Sequence, residues 1–258
     1  MKKEEKQQIF DLLKTVDANI NGYTREDFAK SINFSDDEIQ KEINDEIQEK
    51  HTEELPVEFP AESTHKPLSS AVTISSINEK IMRCTRCGLA RTRNNVVPGQ
   101  GVENPDVMVI GEGPGYDEDM QGLPFVGKAG ALLDKMLAAI NLDRKTNCYI
   151  ANIVKCRPPQ NRDPFPDEQS ACISFLEAQI HILKPKMILC MGRISGQKLL
   201  KTEAPLNQLR GVIHDYNGIP LMITYHPSAL LRNAELKSPA WSDLKQFKKK
   251  LDEIKENV

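Results

Sequence analysis

The sequence predicts an α/β fold: a three-layer α/β/α arrangement around a central, mainly parallel four-stranded sheet, with a weakly helical N-terminal extension in front of it. Three observations lead there. Short apolar runs alternate with longer helical patterns along residues 76–258, the βαβα order that builds a parallel sheet covered on both faces. Those runs are nearly continuous in apolar residues, as strands buried on both sides must be. Composition changes near residue 75. Residues 1–75 hold 9 Lys/Arg against 17 Asp/Glu (net −8), and residues 76–258 hold 25 against 20 (net +5). The 258-residue chain therefore divides into an acidic extension with a flexible linker, residues 1–75, and a folded domain, residues 76–258.

In the extension, Ile9, Leu12, Leu13 and Val16 recur at helical spacing, and Ser35 with Glu38 reads as a capping box. Residues 51–72 carry Pro56, Pro60 and Pro67 among Glu, Ser and Thr, which is linker composition. In the domain, strands are expected at Val107–Ile110, Tyr149–Val154, Met187–Met191 and Leu221–Tyr225. Helices are expected at Ala129–Ile140, Pro166–Leu183, Arg193–Leu200 and Pro239–Ile254. Each strand runs into distinctive residues: Gly111–Asp119, Lys155–Pro159 after Asn152, Gly192-Arg193, and His226-Pro-Ser-Ala229. Parallel strands place these ends on one rim, so Glu112, Glu118, Asn152 and His226 are expected in one cleft.

Composition excludes some classes. No apolar run approaches the ~18 residues that span a membrane, and Met-Lys-Lys-Glu-Glu-Lys-Gln-Gln at the start lacks the apolar core of a secretory signal. A cytoplasmic protein without membrane association, nucleoid-associated in a prokaryote and monomeric, is the expectation. A mildly basic domain permits nucleic-acid binding without demonstrating it.

The most informative stretch is Val107-Met-Val-Ile-Gly-Glu-Gly-Pro-Gly-Tyr-Asp-Glu-Asp119. Gly111, Gly113 and Gly115 allow close backbone approach to a ligand, and Pro114 stiffens the turn. The run does not fit the G-x-G-x-x-G dinucleotide frame, and taken alone it also suits an ordinary strand-to-helix turn. Gly122-Leu-Pro-Phe-Val-Gly-Lys-Ala129 resembles a phosphate-binding loop. Ala129 stands where Ser or Thr would hold magnesium, however, and Pro124 removes a backbone donor. Nucleoside-triphosphate binding is therefore rejected.

Cys84-Thr-Arg-Cys87 can place two thiolates on one metal centre, and Cys156 and Cys172 have fifteen residues between them. Four such thiolates suit zinc or an iron–sulfur cluster. A zinc site usually has two close-spaced pairs, and here there is one, which favours iron–sulfur. Cys148 and Cys190 lie in or beside apolar strands and read as small buried hydrophobes.

Together these segments resemble the family 4 uracil-DNA glycosylases, the iron–sulfur branch of that superfamily. The matching pieces are Cys84-x-x-Cys87, Gly111-Glu-Gly-Pro-Gly-x-x-Glu118-Asp119, Gly122-x-Pro-Phe125-Val-Gly-x-Ala-Gly130, Asn152-Ile-Val-Lys-Cys156-Arg-Pro-Pro and His226-Pro-Ser-Ala. They run in unbroken order through about residues 78–256, while residues 1–75 match nothing in the family core.

The resemblance implies a [4Fe–4S] cluster on Cys84, Cys87, Cys156 and Cys172, with uracil-containing DNA as substrate. It implies base flipping followed by cleavage of the N-glycosidic bond, which leaves an abasic site. Phe125 looks like the stacking platform, and Asn152 looks like the reader of the pairing edge of uracil. His226 resembles the donor to the developing oxyanion. Gly113 stands where other branches carry an Asp or Asn, so Glu112 is the carboxylate expected to orient water. Glu118 looks like a pocket-wall residue, with Gly111, Gly113 and Ser228 also lining the base site. His226-Pro-Ser-Ala-Leu-Leu-Arg232 resembles a minor-groove loop in which Leu230 or Leu231 wedges the duplex. Arg157, Arg193 and Arg232 are then expected on phosphates. The stretch Arg157–Pro166 lacks the basic, His-ended insert of covalent uracil binders, which favours a hydrolase. The rivals are a non-catalytic iron–sulfur module that recognises uracil without cutting, and a zinc-stabilised nucleotide-binding protein.

Overall fold

The computed structural model describes residues 73–256. The helix expected around Ile9–Val16, the capping box at Ser35–Glu38 and the proline-containing linker of residues 51–72 lie outside the described residues. The elements are α1 (Ile74–Met82), β1 (Gln100–Gly101), β2 (Val107–Gly111), α2 (Tyr116–Gln121), α3 (Lys128–Ala138), β3 (Cys148–Asn152) and α4 (Pro166–Leu183). They continue with β4 (Met187–Met191), α5 (Arg193–Leu200), α6 (Leu206–Leu209), β5 (Ile213–Tyr216), β6 (Ile219–Thr224), α7 (Pro227–Arg232) and α8 (Lys237–Glu256).

The sheet has six strands in the order β1-β3-β2-β4-β6-β5. The four expected strands form its parallel centre, and two antiparallel edge strands are added. This corrects the four-stranded expectation. β1 is two residues long, Gln100-Gly101, and carries no apolar pattern. β5, Ile-His-Asp-Tyr, has no buried residue and so lacks the apolar run that marked the other strands. Its signal was the Asn217-Gly218 dipeptide joining it to β6. Both residues have positive φ (52° and 85°), as a two-residue hairpin turn requires.

Alternation along the central strands supplies both covered faces. Met108, Ile110, Ala151, Ile188, Cys190, Leu221 and Ile223 pack with Ile77 and Ile81 of α1 and Phe175, Leu176 and Ile180 of α4. Val107, Val109, Ile150, Met187, Leu189 and Met222 pack with Leu133 and Leu137 of α3 and Leu244, Phe247 and Leu251 of α8. A strand side chain alternates faces at every residue, so a continuous apolar run is what a three-layer core demands. Cys148 and Cys190 belong to this core, and burial pushes both thiols up, Cys148 to about 12. Among the described residues no helix is long and apolar enough to cross a membrane.

The parallel register brings the strand ends together. Gly111 pairs with Asn152 and Met191 with Thr224, so the loops that follow start from neighbouring points. Asp119 of α2 ties this rim to the segment ahead of β1. It is 1% exposed, and its Oδ1 accepts from the backbone N–H groups of Asn94 (2.9 Å) and Asn95 (3.2 Å). Replacing Asp119 by Ala strands these donors, and urea denaturation is expected to show a loss of about 1–3 kcal/mol.

Candidate active site

A cavity of about 400 Å³ opens beyond the carboxyl ends of the parallel strands. The β2 loop contributes Glu112, Gly113, Glu118 and Phe125, β3 contributes Asn152, the β4 end contributes Gly192 and Arg193, and the β6 end contributes His226, Ser228 and Arg232. Nine of the residues expected to bind or act on substrate therefore meet in one place.

Asn152 and Phe125 are the buried residues of this lining that face one another across Gly111. A Cβ on Gly111 would overlap Asn152 Oδ1 and come within 2.7 Å of Phe125 Cζ, so only glycine admits both side chains. Asn152 is 2% exposed. Among the described residues its Oδ1 is the one buried side-chain polar atom with no hydrogen-bond partner. A buried acceptor left unpaired is costly, which makes this atom a ready receiver for a ligand N–H. Phe125 holds a left-handed backbone (φ 53°) that a bulky residue adopts only under constraint. Arg144 supplies one constraint: Nη1 donates to Pro124 O (2.9 Å), Nη2 donates to Phe125 O (3.0 Å), and Asp134 anchors the guanidinium at 2.7 Å. The Phe125 ring lies 5.4 Å from the His226 ring at an interplanar angle of 31°.

His226 caps α7, with Pro227 at the first helical position. The backbone N–H of Ser228 donates to His226 Nδ1 (3.1 Å), and Ser228 Oγ lies 2.8 Å from the same atom. A backbone N–H can only donate, so Nδ1 is an acceptor and the single proton of the neutral ring sits on Nε2. Burial chiefly, and Arg232 secondarily, lower the His226 pKa to about 4, against a raising effect of Glu118. The ring is therefore neutral at pH 7 and offers an Nε2–H donor.

The two carboxylates of the first loop have different surroundings. Glu118 is engaged by backbone N–H groups of Gly115 (3.1 Å), Val126 (2.9 Å) and Gly127 (3.2 Å); it clamps the Gly115 turn to the loop carrying Phe125. Among the described residues no hydrogen bond occupies the Glu112 carboxylate. Burial, reinforced by nearby Asp163, raises its pKa to about 7, while Arg193 opposes the shift. Arg193 is itself paired with Asp163 at 2.7 Å.

The four expected cluster cysteines also converge. Cys84, Cys87, Cys156 and Cys172 line one small pocket together with Arg93, Lys155 and Phe175. Arg93 Nη1 donates to Cys156 Sγ (3.1 Å), and Lys155 acts on the Cys172 thiol chiefly through its charge. Burial raises Cys156 to about 11 and also raises Cys172, while these cations pull in the opposite direction. Among the described residues no three His, Cys, Asp or Glu side chains form a site for one metal ion. Four thiols around one pocket, with Arg93 donating to one of them, are a donor set of the kind that holds a metal or iron–sulfur centre.

Comparison with known proteins bears on this geometry. Residues 98–245 match the uracil DNA glycosylase superfamily. The chain belongs to that superfamily. It is 41% identical to a type-4 uracil-DNA glycosylase of Thermotoga maritima over 67% of this chain and 91% of that protein. It is 40% identical to one of Pyrobaculum aerophilum over 67% and 92%. A third, from Archaeoglobus fulgidus, is 38% identical over 68% and 92%.

Not every expected residue of this glycosylase-family site lies in the cavity. Leu230, expected as a wedge, is 3% exposed and packs in the core, whereas Leu231 is 52% exposed. The first turn of α7 points position 230 inward and its neighbour outward, so Leu231 is the residue presented. Arg157 does not line the cavity; its guanidinium lies 5.1 Å from the ring centroid of exposed Tyr116 and bonds Asn161. Gly111 acts from behind, through the space it leaves. Sequence reasoning missed Asp163, which bears on Glu112, and Arg144, which holds the Phe125 loop. Both act across long sequence separations, and neither belongs to a motif.

The shift on Glu112 has a stability consequence. Its folded pKa exceeds the ordinary 4.5, so the folded state favours the protonated form. Stability falls as pH rises from about 4.5 to about 7 and stays lower above that. Glu112→Gln is therefore expected to raise Tm above pH 7 and to leave it nearly unchanged below pH ~4.5, measured by thermal denaturation across that range.

Proposed function

We propose that this uracil-DNA glycosylase flips uracil out of DNA into the cavity and hydrolyses its N-glycosidic bond as a monofunctional enzyme. The observation that carries the reading is the unpartnered Oδ1 of Asn152 beside the Phe125 ring. Uracil carries an N–H at position 3 and a carbonyl beside it. Stacked on Phe125, it can donate that N–H to Asn152 Oδ1 and accept from the Asn152 amide N–H. Cytosine presents a bare nitrogen to Oδ1 and an amino group to the amide, so both Asn152 groups stay unpaired, at about 1–3 kcal/mol each.

Bond breaking leaves positive charge on the sugar and negative charge on the departing base. The neutral His226 ring donates Nε2–H to the uracil oxygen as that charge grows, and it need not lose a proton. Glu112, ionised above about pH 7, holds the attacking water and favours the cationic sugar. The water oxygen bonds C1′, its proton passes to Glu112, and uracil leaves with the bond's electron pair and takes its proton from solvent. Glu118 keeps the loop in place. The described cavity lining contains no lysine, so no amine is placed to form a Schiff base with the abasic sugar. Arg193 and Arg232 of the cavity lining, exposed Leu231 next to Arg232 in the chain, and Arg157 outside the lining are assigned to the DNA.

Cys84, Cys87, Cys156 and Cys172 are assigned to a [4Fe–4S] cluster, which when bound cross-links three separate chain segments. Cys156 follows the strand that carries Asn152, so the same cross-link braces the reading residue.

An oligonucleotide with one uracil is the direct test. The full chain is expected to release uracil and leave an alkali-labile site. His226→Ala should cost about 10²–10³-fold in rate, and Asn152→Ala should lose at least about tenfold in kcat/KM. The wild-type rate should climb with pH through about 7, and Glu112→Gln should remove that limb. Binding without release would refute the enzymatic reading. Metal analysis should find iron rather than zinc, and Cys156→Ser should lose it.

A further inference from the structure

Lys155 is the only buried cation among the described residues, at 1% exposure, and the mechanism above does not use it. Its Nζ donates to Asn152 O (2.9 Å) and to Gln179 Oε1 (2.7 Å), both neutral acceptors. No carboxylate lies within ion-pair distance of it among the described residues. Burying an ammonium without a counter-charge is expensive. Lys155 lines the pocket of the four thiols, together with Arg93 and Phe175. One residue therefore borders the thiol pocket, immediately precedes Cys156 in the chain, and holds the carbonyl of the uracil-reading asparagine with its side chain.

We infer that Lys155 is the counter-cation of the iron–sulfur cluster and a positioning residue that ties the cluster to Asn152. The inference rests on the cluster assignment made under the proposed function. Four thiolates leave such a cluster with net negative charge, which supplies the partner that Lys155 lacks. Held between that charge and Asn152 O, the ammonium closes the Asn152–Lys155 turn and fixes the strand end from which the amide reads the base. Gln179 secures the other side, because its Nε2 donates to Asn78 Oδ1 (3.1 Å) and Pro98 O (2.9 Å).

The test uses the full chain purified without air, as wild type, Lys155→Met and Lys155→Arg. Methionine keeps an unbranched side chain one atom shorter and removes the charge. Three results are expected of Lys155→Met. The midpoint potential of the cluster becomes more negative, because a nearby cation no longer favours the added electron. Chelator-driven iron loss becomes about 10–100-fold faster, as for other residues that support metal ligands. Binding of free uracil weakens while affinity for abasic DNA holds. Lys155→Arg should retain most of the potential. A purely structural lysine would leave the potential in place, and replacing an uncompensated buried charge by an apolar isostere would leave iron retention equal or better. An iron-loaded Lys155→Met protein with wild-type potential and iron loss overturns this inference alone. A wild type that binds no iron overturns the cluster assignment, and the inference with it.

Discussion

Gly111 pairs with Asn152 at the ends of adjacent parallel strands, and the missing side chain at Gly111 is what lets the Phe125 ring and the Asn152 amide come together. The remainder of the site is organised to keep that junction intact. Glu118 holds the turn after β2 to the loop that carries Phe125. Arg144 grips two successive carbonyls of that loop and sustains a backbone conformation that Phe125 would not choose alone. Gly130 belongs to the same arrangement, since a Cβ there would overlap the Phe125 carbonyl.

The other half of the cavity is positioned from β6. Thr224, its last residue, donates to Asp243 of α8 (2.6 Å), and Arg210 holds the same carboxylate. His226 follows two residues later and is fixed by Ser228. Gly192, just past the end of β4, lies against it: a Cβ built there would come within 3.2 Å of His226 Cβ. Two rings 5.4 Å apart thus come from loops on opposite sides of the sheet centre, each held by its own set of polar contacts.

Burial acts on the two titrating groups in opposite senses of charge but with one effect: it disfavours the ionised form of each. Glu112 moves up to about 7 and His226 down to about 4. Between those values the empty cavity tends toward a neutral histidine and a carboxylate poised to lose its proton. A cationic sugar entering beside Glu112 would favour ionisation of that carboxylate, the form the proposed chemistry needs. Leaving these groups poorly solvated in the free protein exchanges some stability for a preorganised site.

Much of this was legible along the chain, for physical reasons. Strands buried on both faces must be continuously apolar, so the four central strands stood out as apolar runs, and a parallel sheet must collect their ends, so one cleft holding Glu112, Asn152 and His226 followed. The edge strands escaped that pattern: Gln100-Gly101 is too short to carry one, and Ile213–Tyr216 faces solvent, although Asn217-Gly218 marked its turn. The motifs of the first loop and of the His226 segment were local and could be read directly. What only the tertiary structure decided is which groups are already engaged. Glu118 and Glu112 are equivalent as letters, yet one accepts three backbone N–H groups and the other, among the described residues, accepts no hydrogen bond. Leu230 and Leu231 are adjacent and alike, yet helical rotation buries one and presents the other. Lys155 reads as an ordinary lysine until the fold buries its ammonium against Asn152 and Gln179 and sets the residue in the lining of the thiol pocket. Hydrogen-bond commitment and burial are properties of packing across distant segments, and local sequence carries no record of them.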